Sequence, residues 1–290
     1  MARLRRESGA LEAGALVEPE ERLIERVPRV VWLAAVGVLL LSLWQLLTMI
    51  GTVSPILLPG PAEVADEIVD SATNIVSGGH VAEALATTVV EILLGFIGAA
   101  VLGFGLGVLV GETRIGQTAV MPYLVGFNAL PKVAFAPVFV AWFGFGVESK
   151  IVMAMFIAFF PMAVDTAAGL ASVDRDALLM FRQLQAGRRK TLLKLKLPTA
   201  LPYIFAGLKT ATVFSVVGAI VGEYLGGGGG MGELVRLSAQ SLRIDRVFAL
   251  ITYLAVVAMV MFAIVSWVER RVVFWQQGEE LEGKAAWPTS

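Results

Sequence analysis

The sequence predicts an all-α, polytopic membrane protein with six transmembrane helices and both termini in the cytoplasm. Three observations carry that expectation. Hydrophobic residues make up 57% of the 290-residue chain, with a mean hydropathy of +0.77, against roughly 45–50% apolar usage in soluble domains. Six apolar runs follow one another, near 30–50, 82–110, 118–144, 150–171, 202–222 and 248–268. Each reaches about the 20 residues that a hydrocarbon layer demands. Finally, basic residues alternate in density between successive loops. Seventeen Lys and Arg fall on one side, in the N-terminal segment, at Arg114, in the 174–196 loop and after 268. Only four, Lys150, Arg236, Arg243 and Arg246, fall on the other. The richer side is cytoplasmic by the positive-inside rule, and an even number of spans returns the chain to it.

Composition also excludes. The chain has no cysteine and one histidine, His80, so disulfides, zinc thiolate sites, thiol catalysis, His-ligated metals and His-based triads lack their material. The formal net charge of −1 says little; its distribution says more.

Residues 1–29 read as a cytoplasmic tail carrying Arg3, Arg5, Arg6, Arg22, Arg26 and Arg29. They are not a signal peptide, because the apolar run after them is too long and lacks a small-residue cleavage site. Residues 30–275 form the transmembrane domain and 276–290 a second cytoplasmic tail. Between spans one and two, the stretch LLPGPAEV leads into Glu63, Asp66, Glu67 and Asp70. Pro61 followed by carboxylates suits a helix N-terminus. The reading is an external helix over about 61–77 lying on the membrane surface, with Val64, Ile68 and Ile75 on its apolar face; an ordered loop is the alternative.

Span two carries Gly95, Ala99, Gly103, Gly107 and Gly111 at every fourth position, a smooth stripe that lets a neighbouring backbone approach. Gly111 to Thr118 almost spells a phosphate-binding loop, but Gln117 stands where the lysine is needed and no strand precedes it. Nucleotide binding by this segment is rejected. Span three is interrupted by Pro122, Pro131 and Pro137, each of which removes an amide donor. Broken helices in lipid survive where protein or a water-filled cavity covers the freed carbonyls. Lys132 beside the central proline faces such a cavity or a partner, or else snorkels to an interface. Asp165, in span four after Pro161, either lines a pathway, pairs with Lys132 or caps a local break. Glu91 and Glu223 sit near the outer ends of spans two and five, where water is expected to reach them. Pro131, Lys132, Asp165 and Glu223 are the candidate pathway residues. Gly226 to Gly230 is a five-glycine run suited to left-handed turns, as a hinge or as a tight loop.

The segment from Asp174 to Pro198 is the sharpest signal. Asp174 suits an N-cap, Asp176 the first turn and Gly187 the residue after the last turn. Ala177, Met180, Phe181 and Leu184 fall at i, i+3, i+4 and i+7, one apolar stripe on a short cytoplasmic helix. Such a stripe needs a partner, or it rests on the membrane. Arg188 to Lys196 then face anionic headgroups or an acidic protein surface.

With these residues in hand, the chain resembles the membrane-spanning permease of binding-protein-dependent ABC importers, in the nitrate/sulfonate/taurine-like branch. The likeness covers about residues 55–275. It rests on LLPGPAEV, ALPKVAFAPVFVAWFGFG, FFPMAVDTAAGLASVD, LKLPTALPYIFAGLKTA and VGEYLGGGGGMGEL, in family order. The family's cytoplasmic signature runs Glu-Ala-Ala, three residues, Gly, nine residues, then Ile-x-Leu-Pro. Aligned on Leu197-Pro198, its first three positions fall on Leu179, Met180 and Phe181, its glycine on Gln185 and its isoleucine on Leu195. Only the Leu-Pro end survives, and Gly187 is expected to supply the turn.

The resemblance implies the type I ABC importer permease fold in a bacterial cytoplasmic (inner) membrane. It implies a coupling helix over about 174–186, with Asp174, Asp176, Ala177, Met180, Phe181, Arg182, Leu184, Gln185 and Gly187 as coupling residues. The implied partners are a second permease subunit (homo- or heterodimer), two cytoplasmic ABC ATPase subunits, an external solute-binding protein and the bilayer, with no nucleic acid. The chain itself would be non-catalytic and without cofactor, since ATP is bound by the ATPase subunits. The implied cargo is a small solute such as a sulfonate, nitrate or taurine, or alternatively a pyrimidine or flavin-like vitamin precursor. A stand-alone secondary transporter using Asp165 and Lys132 as a relay is the competing class. Inverted repeats would favour it, and the sequence shows no convincing internal symmetry.

Overall fold

A computed structural model describes residues 28–275 apart from 52, 53 and 55; the two tails expected at 1–29 and 276–290 lie outside them, save Pro28 and Arg29. Two compact units divide the chain, one ending at Glu63 and one beginning at Val64. The first unit contains helix α1, Arg29–Met49, capped at its far end by Ile50, whose amide donates to the Leu46 carbonyl. The indole of Trp44 donates to the Pro59 carbonyl at 3.1 Å, folding the following turn back along the helix. Helix α2, Pro61–Val76, begins in this unit and continues into the second.

The described residues of the second unit form helices joined by short turns, with no strand among them. Helix α3 spans His80–Glu112, about 50 Å at 1.5 Å per residue, so it projects beyond a ~30 Å hydrocarbon core. A π-turn over Gly116–Val120 leads into α4, Met121–Ala129, and a 3₁₀ turn over Lys132–Phe135 leads into α5, Ala136–Phe143. Helix α6, Val147–Ala171, is followed by the short α7, Arg175–Gln183. A turn of helix, α8 at Arg188–Thr191, and a π-turn at Leu192–Lys196 run without a break into α9, Leu197–Gly226. Helices α10, Met231–Gln240, and α11, Ile244–Val272, complete the unit. Among the described residues five helices are long and apolar enough to cross a membrane, and a sixth crossing is available if the bent α4–α5 pair counts as one.

Helix α6 lies at the centre, between α3 and α9. The glycine stripe of α3 explains one side. A Cβ on Gly95, Gly103, Gly107 or Gly111 would fall 2.5–2.9 Å from the Cβ of Ala154, Met162, Thr166 or Leu170 respectively. The constant offset of 59 residues between these partners means that α3 and α6 run parallel, matched turn for turn. On the other side, Gly218 meets Ala154, Gly222 meets Lys150, and Gly207 meets Asp165; rising numbers on α9 meet falling ones on α6, so this pair is antiparallel. Small residues permit close approach in both.

Of the three prolines expected to break span three, one does. Pro122 and Pro137 lie just after the π-turn and the 3₁₀ turn that lead into α4 and α5, where the hydrogen-bond spacing of the helix changes and the chain runs on in helical conformation. The chain turns by 83° at the junction containing Leu130 and Pro131. Helix α2 occupies the stretch expected to be helical at about 61–77, and its inner face packs on protein. Val64 and Ser71 are buried, Ile75 joins Val81, Ala84, Leu250 and Leu254, and the Tyr253 hydroxyl donates to the Ile68 carbonyl at 2.7 Å.

Candidate functional site

The short helix α7 stands at the end of α6, outside the candidate spans. Asp174 caps it: its Oδ2 accepts from the amides of Asp176 and Ala177, both at 3.0 Å. The far end closes by a Schellman arrangement, in which the Ala186 amide donates to the Phe181 carbonyl and the Gln185 amide to that of Arg182, both at 3.0 Å. That arrangement needs one left-handed residue, and it is Gln185, at φ 49°. Gly187, expected to serve there, has φ −64° and begins the next turn of helix. The left-handed position thus coincides with the glycine of the family signature, although this chain carries glutamine.

The apolar stripe is also divided. Met180 is 52% and Leu184 70% exposed, and Leu179 joins them, whereas Ala177 and Phe181 are half-buried. Arg182 and Asp176 are exposed. The free face is therefore Leu179, Met180 and Leu184. Behind it, Lys196 pairs with Glu112 at 2.8 Å, tying the helix that follows α7 to the end of α3. The near-match to a phosphate-binding loop is spent on the same joint: the Gln117 amide group donates to the Gly111 carbonyl at 2.6 Å, and a Cβ on Gly116 would fall 2.4 Å from the Val110 carbonyl.

In the broken span, Pro131 precedes the 3₁₀ turn and Lys132 is nearly buried. Its Nζ donates to Asn128 Oδ1 at 2.8 Å and lies 5.4 and 5.5 Å from the ring centres of Phe160 and Phe214, within range of cation–π attraction. It makes no ion pair with Asp165 among the described residues. Asp165 is half-buried beside Gly207 of α9. Phe214, one of the two rings over Lys132, also lines a cleft of about 440 Å³ with Ala206, Lys209, Thr210, Val213 and Phe262. Lys209 at its edge pairs with Glu269 of α11 at 2.8 Å.

Glu91 and Glu223, expected where water reaches them, are fully buried, as is Lys150. All three lie at the end of the bundle opposite α7. Lys150 Nζ stands 3.4 Å from Glu91 Oε1. Glu223 Oε1 accepts from the Thr88 hydroxyl at 2.5 Å and its Oε2 from the Gly232 amide at 2.6 Å. The reason for the error is tertiary. Lys150 and Glu223 are near the ends of their helices and Glu91 lies about three turns inside α3, but α3, α6 and α9 meet there, and the glycine run lies against them. A charge inside or abutting an apolar run was the available signal for Glu91 and Lys150; their pairing, 59 residues apart, was not visible. Among the described residues no group of three or more His, Asp and Glu could hold a metal ion.

Comparison with known proteins agrees with this architecture. Residues 99–274 match the family described as "Binding-protein-dependent transport system inner membrane component". The formylaminopyrimidine transport permease protein ThiX of Halalkalibacterium halodurans is 32% identical, over 82% of this chain and 93% of that protein. The taurine transport system permease protein TauC of Escherichia coli is 27% identical, over 81% and 86% respectively. Among solved structures, a chain of the MetNI methionine ABC transporter superposes with a TM-score of 0.56 at 18% identity, covering 66% of this chain and 95% of that one, a likeness of fold.

Proposed function

This chain belongs to the family of binding-protein-dependent transport system inner membrane components, and on that premise we propose that it is one of two permease subunits enclosing the pathway of an ATP-driven importer in a bacterial inner membrane. A second permease, identical or homologous, completes the pathway, and an external binding protein delivers the solute. Two cytoplasmic ATPase subunits bind and hydrolyse ATP and engage α7. The face of Leu179, Met180 and Leu184, exposed on a capped helix outside the spans, is the observation that supports this coupling role. A 52–70% exposed pair of large apolar side chains on a helix of nine residues is costly in water and is relieved by a partner groove.

Within the pathway, Pro131, Lys132 and Asp165 are the lining candidates. Glu223 fits that role poorly, because its carboxylate is enclosed within one chain. The cargo is a small solute. Likeness to the taurine permease supports a sulfonate or a similar small anion, and the slightly greater likeness to the formylaminopyrimidine permease supports a pyrimidine-type vitamin precursor as the second reading.

The test is co-purification of the tagged chain from its native host in mild detergent, with partners identified by mass spectrometry. Recovery of an ATP-binding subunit and a solute-binding protein is the expected result and supplies a soluble protein on which to screen ligands. Transport by the chain alone in liposomes without ATP would overturn the proposal and return attention to Asp165 and Lys132 as an ion relay.

A further inference from the structure

The glycine run after α9 is held in an unusual way. Gly227, Gly228, Gly229 and Gly230 have φ of 65°, 79°, 106° and 98°, a succession open only to glycine. A Cβ on Gly228 would lie 2.7 Å from the Phe145 carbonyl, and one on Gly230 would collide with the Glu223 carboxylate. The backbone groups of the loop and of the first turn of α10 are bound by side chains from four different helices. Lys150 of α6 donates to the Gly229 carbonyl at 3.1 Å. Thr88 of α3 accepts from the Met231 amide at 2.8 Å. Glu223 of α9 accepts from the Gly232 amide, and Glu233 of α10 from the Gly229 amide. Glu233 is in turn held by Arg236 at 3.0 Å, and Lys150 by Glu91 of α3.

We infer that Thr88, Glu91, Lys150 and Glu223 form a latch that holds the glycine loop closed over the end of the bundle opposite α7, and that the loop is released when the spans separate there. A buried ion pair is a weak source of stability, because desolvation offsets the attraction; its best-attested use is to choose one arrangement over another. Here the charges sit on three spans that meet at one point, so the bonds that Lys150 of α6 and Thr88 of α3 make to the loop depend on those spans staying together. Four successive glycines gain more conformational entropy than other residues when the loop is freed, which favours release and leaves closure dependent on these bonds. A contact made in only one of two packings shifts the balance between them by the whole of its free energy. The placement of this end as the external one rests on the permease reading given above.

The natural chain has no cysteine, so Met231→Cys is a clean reporter: Met231 is fully buried at the foot of the loop. Its rate of labelling by a membrane-impermeant maleimide is measured in native membranes, alone and combined with Thr88→Val or with the double change Glu91→Gln, Lys150→Met. Lys150→Met alone would leave both Glu91 and Glu223 buried without a cation and risk misfolding; the double change removes one of these carboxylates, and Glu223 keeps its bonds from Thr88 and Gly232. Both combinations are expected to label at least tenfold faster than the reporter alone, while purified protein stays monodisperse. The reporter alone is expected to approach that rate when its ATPase subunits are trapped in the ATP-bound state. Unchanged labelling in well-folded variants would overturn the latch. Faster labelling in the variants with no response to ATP trapping would overturn it too, reducing the cluster to a static clasp. Failure of the permease reading shows separately, as absence of any co-purifying ATPase, and leaves the variant comparison intact.

Discussion

Gly107→Ala tests the packing on which everything else rests. The added methyl carbon would lie 2.5 Å from Thr166 Cβ, 2.8 Å from Thr166 Cγ2 and 2.8 Å from the Ala163 carbonyl oxygen, against an optimum near 3.5–4.0 Å for carbon pairs. Relief by moving α6 away is blocked, because its other face is pressed on α9, where a Cβ on Gly218 would fall 2.5 Å from Ala154 Cα. Overpacking of this kind costs about 1–3 kcal/mol. The better helix propensity of alanine returns about 1 kcal/mol, which leaves a net loss of up to roughly 2 kcal/mol. Gly105→Ala is the control, since nothing lies within 4 Å of its Cβ; it is expected to be neutral or slightly stabilising. The assay is loss of the monodisperse size-exclusion peak on heating in mild detergent, with intrinsic fluorescence of the six tryptophans as a second readout. A midpoint for Gly107→Ala equal to or above wild type, with Gly105→Ala lowered, would refute the parallel α3–α6 register.

Met180→Glu together with Leu184→Glu puts two carboxylates on the exposed face of α7. Capture of the ATPase and ATP-driven uptake are expected to fall at least tenfold while membrane insertion is unchanged, and wild-type uptake would sink the coupling assignment. Gln185→Gly relieves a left-handed non-glycine residue at φ 49° and is expected to stabilise the C-terminal turn of α7 by about 1 kcal/mol. Hydrogen exchange across 181–187 reads this directly, and faster exchange in the variant would contradict it. Asp165→Asn changes a charge beside Gly207 within the bundle and is expected to leave ATPase capture intact while altering uptake; loss of the ATPase in a pull-down would show that its influence reaches α7.

Much of this protein is legible in one dimension. Span lengths follow from the thickness of hydrocarbon, the four-residue spacing of Gly95, Gly103, Gly107 and Gly111 announces a face for close packing, and Asp174 announces the start of α7. These are local rules, acting over a turn or two of helix. The sequence equally marks the broken span, though three prolines do not say which one bends it. Pro122 and Pro137 are absorbed where a π-turn and a 3₁₀ turn change the hydrogen-bond spacing, and the helix continues through both.

What only the tertiary structure decided involves groups that meet across the bundle. Lys150 reads as the flank of an apolar run and becomes the fully buried partner of Glu91. Glu223 reads as a water-accessible helix end and becomes an acceptor for Thr88 and Gly232, 135 and nine residues away. Phe181 belongs to the docking stripe by periodicity, but it is half-buried, whereas Met180 and Leu184 are exposed. Gln185 occupies a left-handed turn that its type disfavours because the Schellman bonds, and not the side chain, dictate the backbone there. Periodicity and composition report the free energy of a residue against solvent or lipid. Which charge neutralises which, and which face of a helix stays free, depends on the neighbours that packing brings to it.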